Sequence, residues 1–198
     1  MPTKGQQYAG LVQARKACQC CASIGLKNPA HIRGGMFDSP EIGPWTRWNG
    51  DLDARLFVVG QDWGDVAGFE RQQGLEDSTS GTNKRLRKLL HSVGISVSQA
   101  SKSSSGSGVF LTNAVLCLKT GGAQAEVNKA WFTNCGPLFL RPQIELVRPR
   151  VVVSLGERAY LAIRDSFGLP RVSFQRAVNS HKPICVGQRF CLGSVIKS

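Results

Sequence analysis

Three groups of residues in this chain have the types and spacing to do chemistry. The first is the run Leu56-Phe57-Val58-Val59-Gly60-Gln61-Asp62-Trp63-Gly64-Asp65. An apolar stretch ends at a glycine, and an amide and a carboxylate follow at once. A carboxylate fixed at such a turn can position a water molecule or stabilise a developing positive charge. Asp65, three residues further on, is the next candidate for that role. The second group is Asn113, an amide inside the apolar run Gly108-Val109-Phe110-Leu111-Thr112-Asn113-Ala114-Val115-Leu116-Cys117. A buried amide left unpaired costs about 1–3 kcal/mol. Asn113 must therefore bond either a ligand edge or a neighbouring loop. The third group is thiols. Cys18 and Cys21 form a Cys-x-x-Cys, the spacing by which one turn presents two thiolates to one metal centre. Cys117 and Cys135, with 17 residues between them, are their counterparts. The four are ligands of a metal centre or buried thiols acting as small hydrophobes. Cys20 is an alternative to either neighbour. Cys185 and Cys191 fall on a late strand pattern and read as core.

These groups need elements to hold them in place. Residues 56–59 are apolar and rich in β-branched side chains, without alternation, as in a strand buried on both faces of a parallel sheet. Residues 108–117 and 151–155 repeat that pattern. Helical spacing covers 7–17, 83–93, 136–147 and 157–165, and the second of these sets Leu86, Leu89 and Leu90 against Lys84, Arg85, Arg87 and Lys88. Residues 22–54, 66–77 and 101–108 read as loops, and 183–195 as a last strand or hairpin. Trp45 and Trp48 cover an edge of the core or lie near the ligand. His31 reads as a surface residue and His91 as a helix end. Alternating strands and helices argue for an α/β fold. We expect a single three-layer α/β/α domain over residues 1–198, with a central, mostly parallel sheet. In such sheets ligands bind at the carboxyl ends of the strands, where Gly60, Gln61 and Asp62 stand.

Composition narrows the function classes. Twenty-five Lys and Arg oppose 13 Asp and Glu, a net charge of +12, which favours a polyanionic partner, nucleic acid first. Hydrophobic content of 41% and charged content of 19% belong to a folded domain. No apolar run approaches the roughly 18 residues of a membrane span. The polar start Met1-Pro2-Thr3-Lys4-Gly5-Gln6-Gln7 lacks a signal-peptide core. A cytoplasmic monomer with no membrane contact is the expectation. Seven cysteines is an odd count, which suits metal or redox chemistry in a reducing compartment better than a disulfide framework.

Taken together, the motifs resemble the uracil-DNA glycosylase superfamily. Gly60-Gln61-Asp62 is similar to the water-activating motif of the family-1 enzymes, which begins Gly-Gln-Asp-Pro. The iron–sulfur families 4 and 5 begin that motif with Gly-Glu or Gly-Leu and continue Ala-Pro. Residues 109–113 resemble the strand that carries the uracil-reading Asn. The runs Cys135-Gly136-Pro137-Leu138, Gln143-Ile144-Glu145-Leu146 and Pro149-Arg150-Val151-Val152-Val153-Ser154-Leu155-Gly156 resemble family 4. The likeness spans about residues 18–195.

The resemblance implies a glycosylase acting on uracil-containing DNA, with the base flipped out of the stack into a pocket. It implies that Asn113 reads the uracil edge, that Asp62 positions water and that Gln61 bonds the base, with Gly60 beside it. The family's stacking Phe would fall at residues 77–81, which hold no aromatic, so Trp63 and Phe69 are the substitutes. Cys18, Cys21, Cys117 and Cys135 would hold a 4Fe–4S cluster, with structural zinc as the alternative. The connection 118–131, with Lys119 and Lys129, would meet DNA and help wrap the cluster. A His-Pro-Ser motif is expected after the last strand. The sequence stops at Ser198, about where that motif would begin, and His181-Lys182-Pro183 precedes the strand. Two other readings follow: a non-catalytic DNA- or nucleotide-binding member of the fold, and a zinc-stabilised nucleic-acid module.

Overall fold

Thr3 starts the first helix through a capping box. Its hydroxyl accepts from the Gln6 N–H while the Gln6 side-chain oxygen accepts from the Thr3 N–H, so two otherwise orphaned donors are satisfied. The computed structural model describes residues 1–77, 79–97, 107–122, 124–170, 172–180, 184–186 and 190–195, with backbone alone for 184–186, 194 and 195. Its elements run α1 (Lys4–Ala17), β1 (Leu26–Lys27), α2 (Pro44–Trp48), β2 (Leu56–Asp62), α3 (Val66–Arg71), α4 (Gly81–Ser92) and β3 (Val109–Val115). There follow β4 (Leu118–Lys119), α5 (Lys129–Cys135), α6 (Arg141–Val147), β5 (Val151–Leu155), α7 (Glu157–Ser166), α8 (Phe174–Asn179), β6 (Ile184–Val186) and β7 (Phe190–Val195).

The central sheet has the order β3-β2-β5-β7-β6. The first four strands are parallel, and β6 returns antiparallel to β7. Side-chain alternation sends each strand to both faces. On one face Phe57, Val59 and Val152 pack against Leu140 and Ile144 and against Tyr160 and Ile163 of α7. On the other, Val58 and Leu111 pack against Trp45 and Trp48 of α2 and Leu86 and Leu90 of α4. Helices thus cover both faces, as the uninterrupted apolar strands require. Phe57 and Phe110 are direct cross-strand partners whose rings stack at 4.8 Å. Such a pair adds about 0.5–1.5 kcal/mol beyond its area burial. β2 and β5 are neighbours, yet the helices that follow them cover opposite faces. In open α/β sheets ligands bind where such a reversal occurs, and Asp62 ends β2 at that point.

Two local expectations differ. Residues 66–77 are not all loop, because Asp65 caps a helix there: its Oδ1 accepts from the Gly68 N–H at 2.5 Å and α3 follows. The helix expected at 136–147 begins earlier, at the Asn128 cap, and runs through a π turn (Gly136–Leu140) into α6. Cys191 is half-buried and disulfide-bonded, where odd-count arithmetic had set disulfides aside. No described helix is long and apolar enough to cross a membrane.

Candidate functional site

The parallel register of β2 and β3 brings the first two chemical groups together. Gly60 is the direct partner of Asn113, and Asp62 of Val115. Asn113 is 4% exposed, and its amide finds no hydrogen-bond partner among the described residues. A Cβ added at Gly60 would collide with Asn113 Oδ1 and lie 2.7 and 2.9 Å from carbons of the Trp45 ring. Only a glycine at 60 lets the amide and the indole edge meet there. Trp45 therefore belongs to the core, the first of the two places its sequence allowed, and its ring edge also touches Gly60 beside Asn113. Glu76 Oε2 accepts from Asn83 Nδ2 at 3.0 Å, and burial pushes the Glu76 carboxyl above its ordinary value.

Asp62 ends β2 facing three donors. Gly64 N–H donates to Oδ1 at 2.9 Å, Gln61 Nε2 donates to Oδ2 at 2.6 Å, and Lys119 Nζ lies 3.4 Å from Oδ2. Gly64 makes the turn possible with φ +99°, in the left-handed region that other residues avoid. A carboxylate can accept about four hydrogen bonds. This one keeps acceptor capacity for a water molecule or for a developing cation. Lys119, expected on a DNA-facing connection, is 4% exposed and turned toward Asp62 instead. No local pattern marks it, because only the meeting of β4 with the Gly64 turn brings it there. Gln61 spends its side-chain amide on Asp62.

Trp63 is half-buried and meets Phe69 edge-on at 5.4 Å. Phe69 is 3% exposed and packs with Ile32 and Leu118. It supports Trp63 and offers no free face for stacking. His181 lies outside the described residues.

The thiols gather around a separate cavity, reached by Cys117 just past the end of β3. Cys18, Cys20, Cys21, Cys117 and Cys135 line one cavity of about 220 Å³, with Arg15, Asn28 and His31 at its wall. Cys117 feels the charges of Cys135, Cys18 and Cys21. Asn134 Nδ2 donates to Cys21 Sγ at 3.4 Å. Burial pushes the Cys117 and Cys18 thiols up, and Cys135 up to about 12. Among the described residues, no three His, Cys, Asp or Glu side chains are grouped to hold a single metal ion. The donor set, thiols without a carboxylate, has the softness that iron–sulfur centres and zinc both take.

Residues 48–190 match the family model described as the uracil DNA glycosylase superfamily. The chain is 33% identical over 140 residues to a type-5 uracil-DNA glycosylase from Pyrobaculum aerophilum. That match takes in 68% of this chain and spans 57% of the relative's length.

Proposed function

Because the chain belongs to the uracil DNA glycosylase superfamily, we propose that it is a uracil-DNA glycosylase, hydrolysing the N-glycosidic bond of a uracil flipped out of DNA. The observation that carries this reading is the Gly60–Asn113 register, which sets an unpartnered buried amide two residues from a strand-end carboxylate. Asn113 reads the polar edge of the base. A site built to bond such an edge rejects bases that lack it, because its own amide would be left unpaired. Asp62 directs a water molecule to C1′ and stabilises the positive charge that grows on the sugar. Water oxygen bonds to C1′, the bond to the base nitrogen breaks, and the base leaves with the electron pair. The water's surplus proton ends in solvent. Gln61 steadies the carboxylate and offers its backbone to the base. Trp63, backed by Phe69, is the aromatic beside the pocket. The net charge of +12 attracts the DNA backbone.

Cys18, Cys21, Cys117 and Cys135 are the residues that would hold a 4Fe–4S cluster. When bound, it would cross-link the loop after α1 to the link between β3 and β4 and to α5. The protein acts as a monomer, and in the cytoplasm.

The test is a single-turnover assay on uracil-containing oligonucleotides. Cleavage of uracil but not of thymine DNA is expected. Binding without cleavage would replace the enzyme with a binding module. Protein purified without oxygen should be brown, and Cys117→Ala or Cys135→Ala should bleach it. A colourless protein with one zinc would remove the cluster and leave the fold. Affinity for DNA should fall linearly in log K against log salt. A flat response would separate the +12 charge from DNA.

A further inference from the structure

We propose that Lys119 is a positioning residue for the Asp62 carboxylate, an inference that rests on Asp62 being the water-directing group. Its Nζ lies 3.4 Å from Asp62 Oδ2, and the two side chains are 5% and 8% exposed. Lysine is almost never this buried unless paired. Desolvating the ammonium is costly, and packing alone gives no reason to place it here. The backbone adds a second tie. Lys119 N–H donates to the Gly64 carbonyl at 2.9 Å, and residue 119 bridges Asp65 in parallel fashion. Gly64 N–H in turn donates to Asp62 Oδ1. Both carboxylate oxygens are thus referenced to one residue: Oδ2 through the ammonium, Oδ1 through the turn to which that residue's backbone is bonded.

β4 is itself held from behind. It pairs with β1, Leu26 opposite Lys119 and Lys27 opposite Leu118. A residue anchored this firmly can fix the direction in which the carboxylate's free lone pairs face the pocket. The type of cation matters as well. A lysine ammonium is a compact point charge, which leaves those lone pairs free, whereas an arginine fork would take both oxygens.

A double-mutant cycle tests this by single-turnover cleavage of a uracil-containing single strand, with the dissociation constant measured in parallel. Lys119→Met should slow cleavage by about 10–100-fold, the usual cost of losing a group that orients a reacting one. Affinity for the DNA should stay near wild type, because the group acts through Asp62 and not through the phosphates. The deciding comparison is Asp62→Asn against Asp62→Asn with Lys119→Met. If Lys119 works through Asp62, the double variant cleaves as fast as Asp62→Asn alone. A merely structural lysine would cost the same factor in both backgrounds, and that result overturns the proposal. So does an unchanged rate in Lys119→Met. Should that single variant fail to fold, the other two, which carry no unpaired buried carboxylate, still give the answer. If wild type cleaves no uracil DNA, or cleaves as fast with Asn at 62, the reading of Asp62 fails and the proposal falls with it. A cleaving wild type with a slow Asp62→Asn and an additive Lys119→Met removes the proposal alone.

Discussion

Two regions of this molecule are each built around a buried ion pair, and the pairs are arranged differently. Beside the cysteine cavity, Arg15 NH1 meets Asp38 Oδ1 at 2.6 Å, with exposures of 0% and 5%. Its NH2 also donates to the carbonyls of Ser39 and Glu41. One guanidinium thus gathers the loop over residues 38–41 onto α1. At the sheet ends, Lys119 and Asp62 stand 3.4 Å apart, and the Asp62 oxygens also accept from the Gly64 N–H and Gln61 Nε2. The first pair closes a loop onto a helix, although Asp38 Oδ2 is left without a hydrogen-bond partner among the described residues. The second stands at the end of a strand beside the Gly60–Asn113 pair. Burial and opposite charge alone do not separate the two cases; their place in the fold does.

The largest effect that would break this contrast concerns Asp62. Asp62→Asn should slow the chemical step by about 10²–10⁴-fold, the usual worth of a positioned acid–base or electrostatic group. Affinity for uracil-containing DNA should hold, because the group acts mainly in the transition state. Stability should fall too, since a neutral amide no longer balances the buried Lys119 ammonium. Arg15→Met should leave the chemistry alone. Removing one partner of a buried pair typically costs about 3–5 kcal/mol, which a urea titration would read as a lowered midpoint, while the folded fraction cleaves like wild type. A stable Arg15→Met would dissolve the distinction. Gly60→Ala comes next. The new Cβ must push Asn113 Oδ1 and the Trp45 ring aside. Overpacking of this kind costs about 1–3 kcal/mol, and discrimination of uracil from thymine should weaken with it. Unchanged discrimination would separate the Asn113 amide from base reading.

The sheet was legible because a strand buried on both faces leaves an uninterrupted apolar run, as residues 56–59 do. Gly60, Asp62 and Asn113 stood out as candidates because they lie at the end of such a run or interrupt one. What the sequence did not show is what depends on distant pairing. Lys119 reads as one more basic residue on a long connection until β4 meets β1 and the Gly64 turn. Trp45 read first as core, and it is core, but its contact with Gly60 depends on a register that no local pattern shows. α3 was missed because it is only six residues long and set off by a single cap. That the four cysteines share a cavity was readable from their spacing. The disulfide at Cys191 was not, because an odd count argues against a disulfide network and not against a single bridge.

The smallest effect is the sharpest test of which carboxylate does the work. Asp62 and Asp65 are three residues apart, and either could be aimed at a water from the sequence alone. The structure gives them different partners. Asp65 Oδ1 accepts from the Gly68 N–H at 2.5 Å and begins α3, the six-residue helix that carries Phe69 under Trp63. Asp65 serves as a helix cap, and Asp65→Ala should cost about 1 kcal/mol of stability, as N-cap losses do. A small further loss of uracil affinity is expected if Trp63 shifts with the helix. The chemical step should stay near the wild-type rate once binding is saturated. Asp65→Asn should restore stability, because asparagine caps as well as aspartate. If Asp65→Asn instead slows the chemistry as much as Asp62→Asn does, the cap is incidental. The water-directing role would then pass to the second carboxylate.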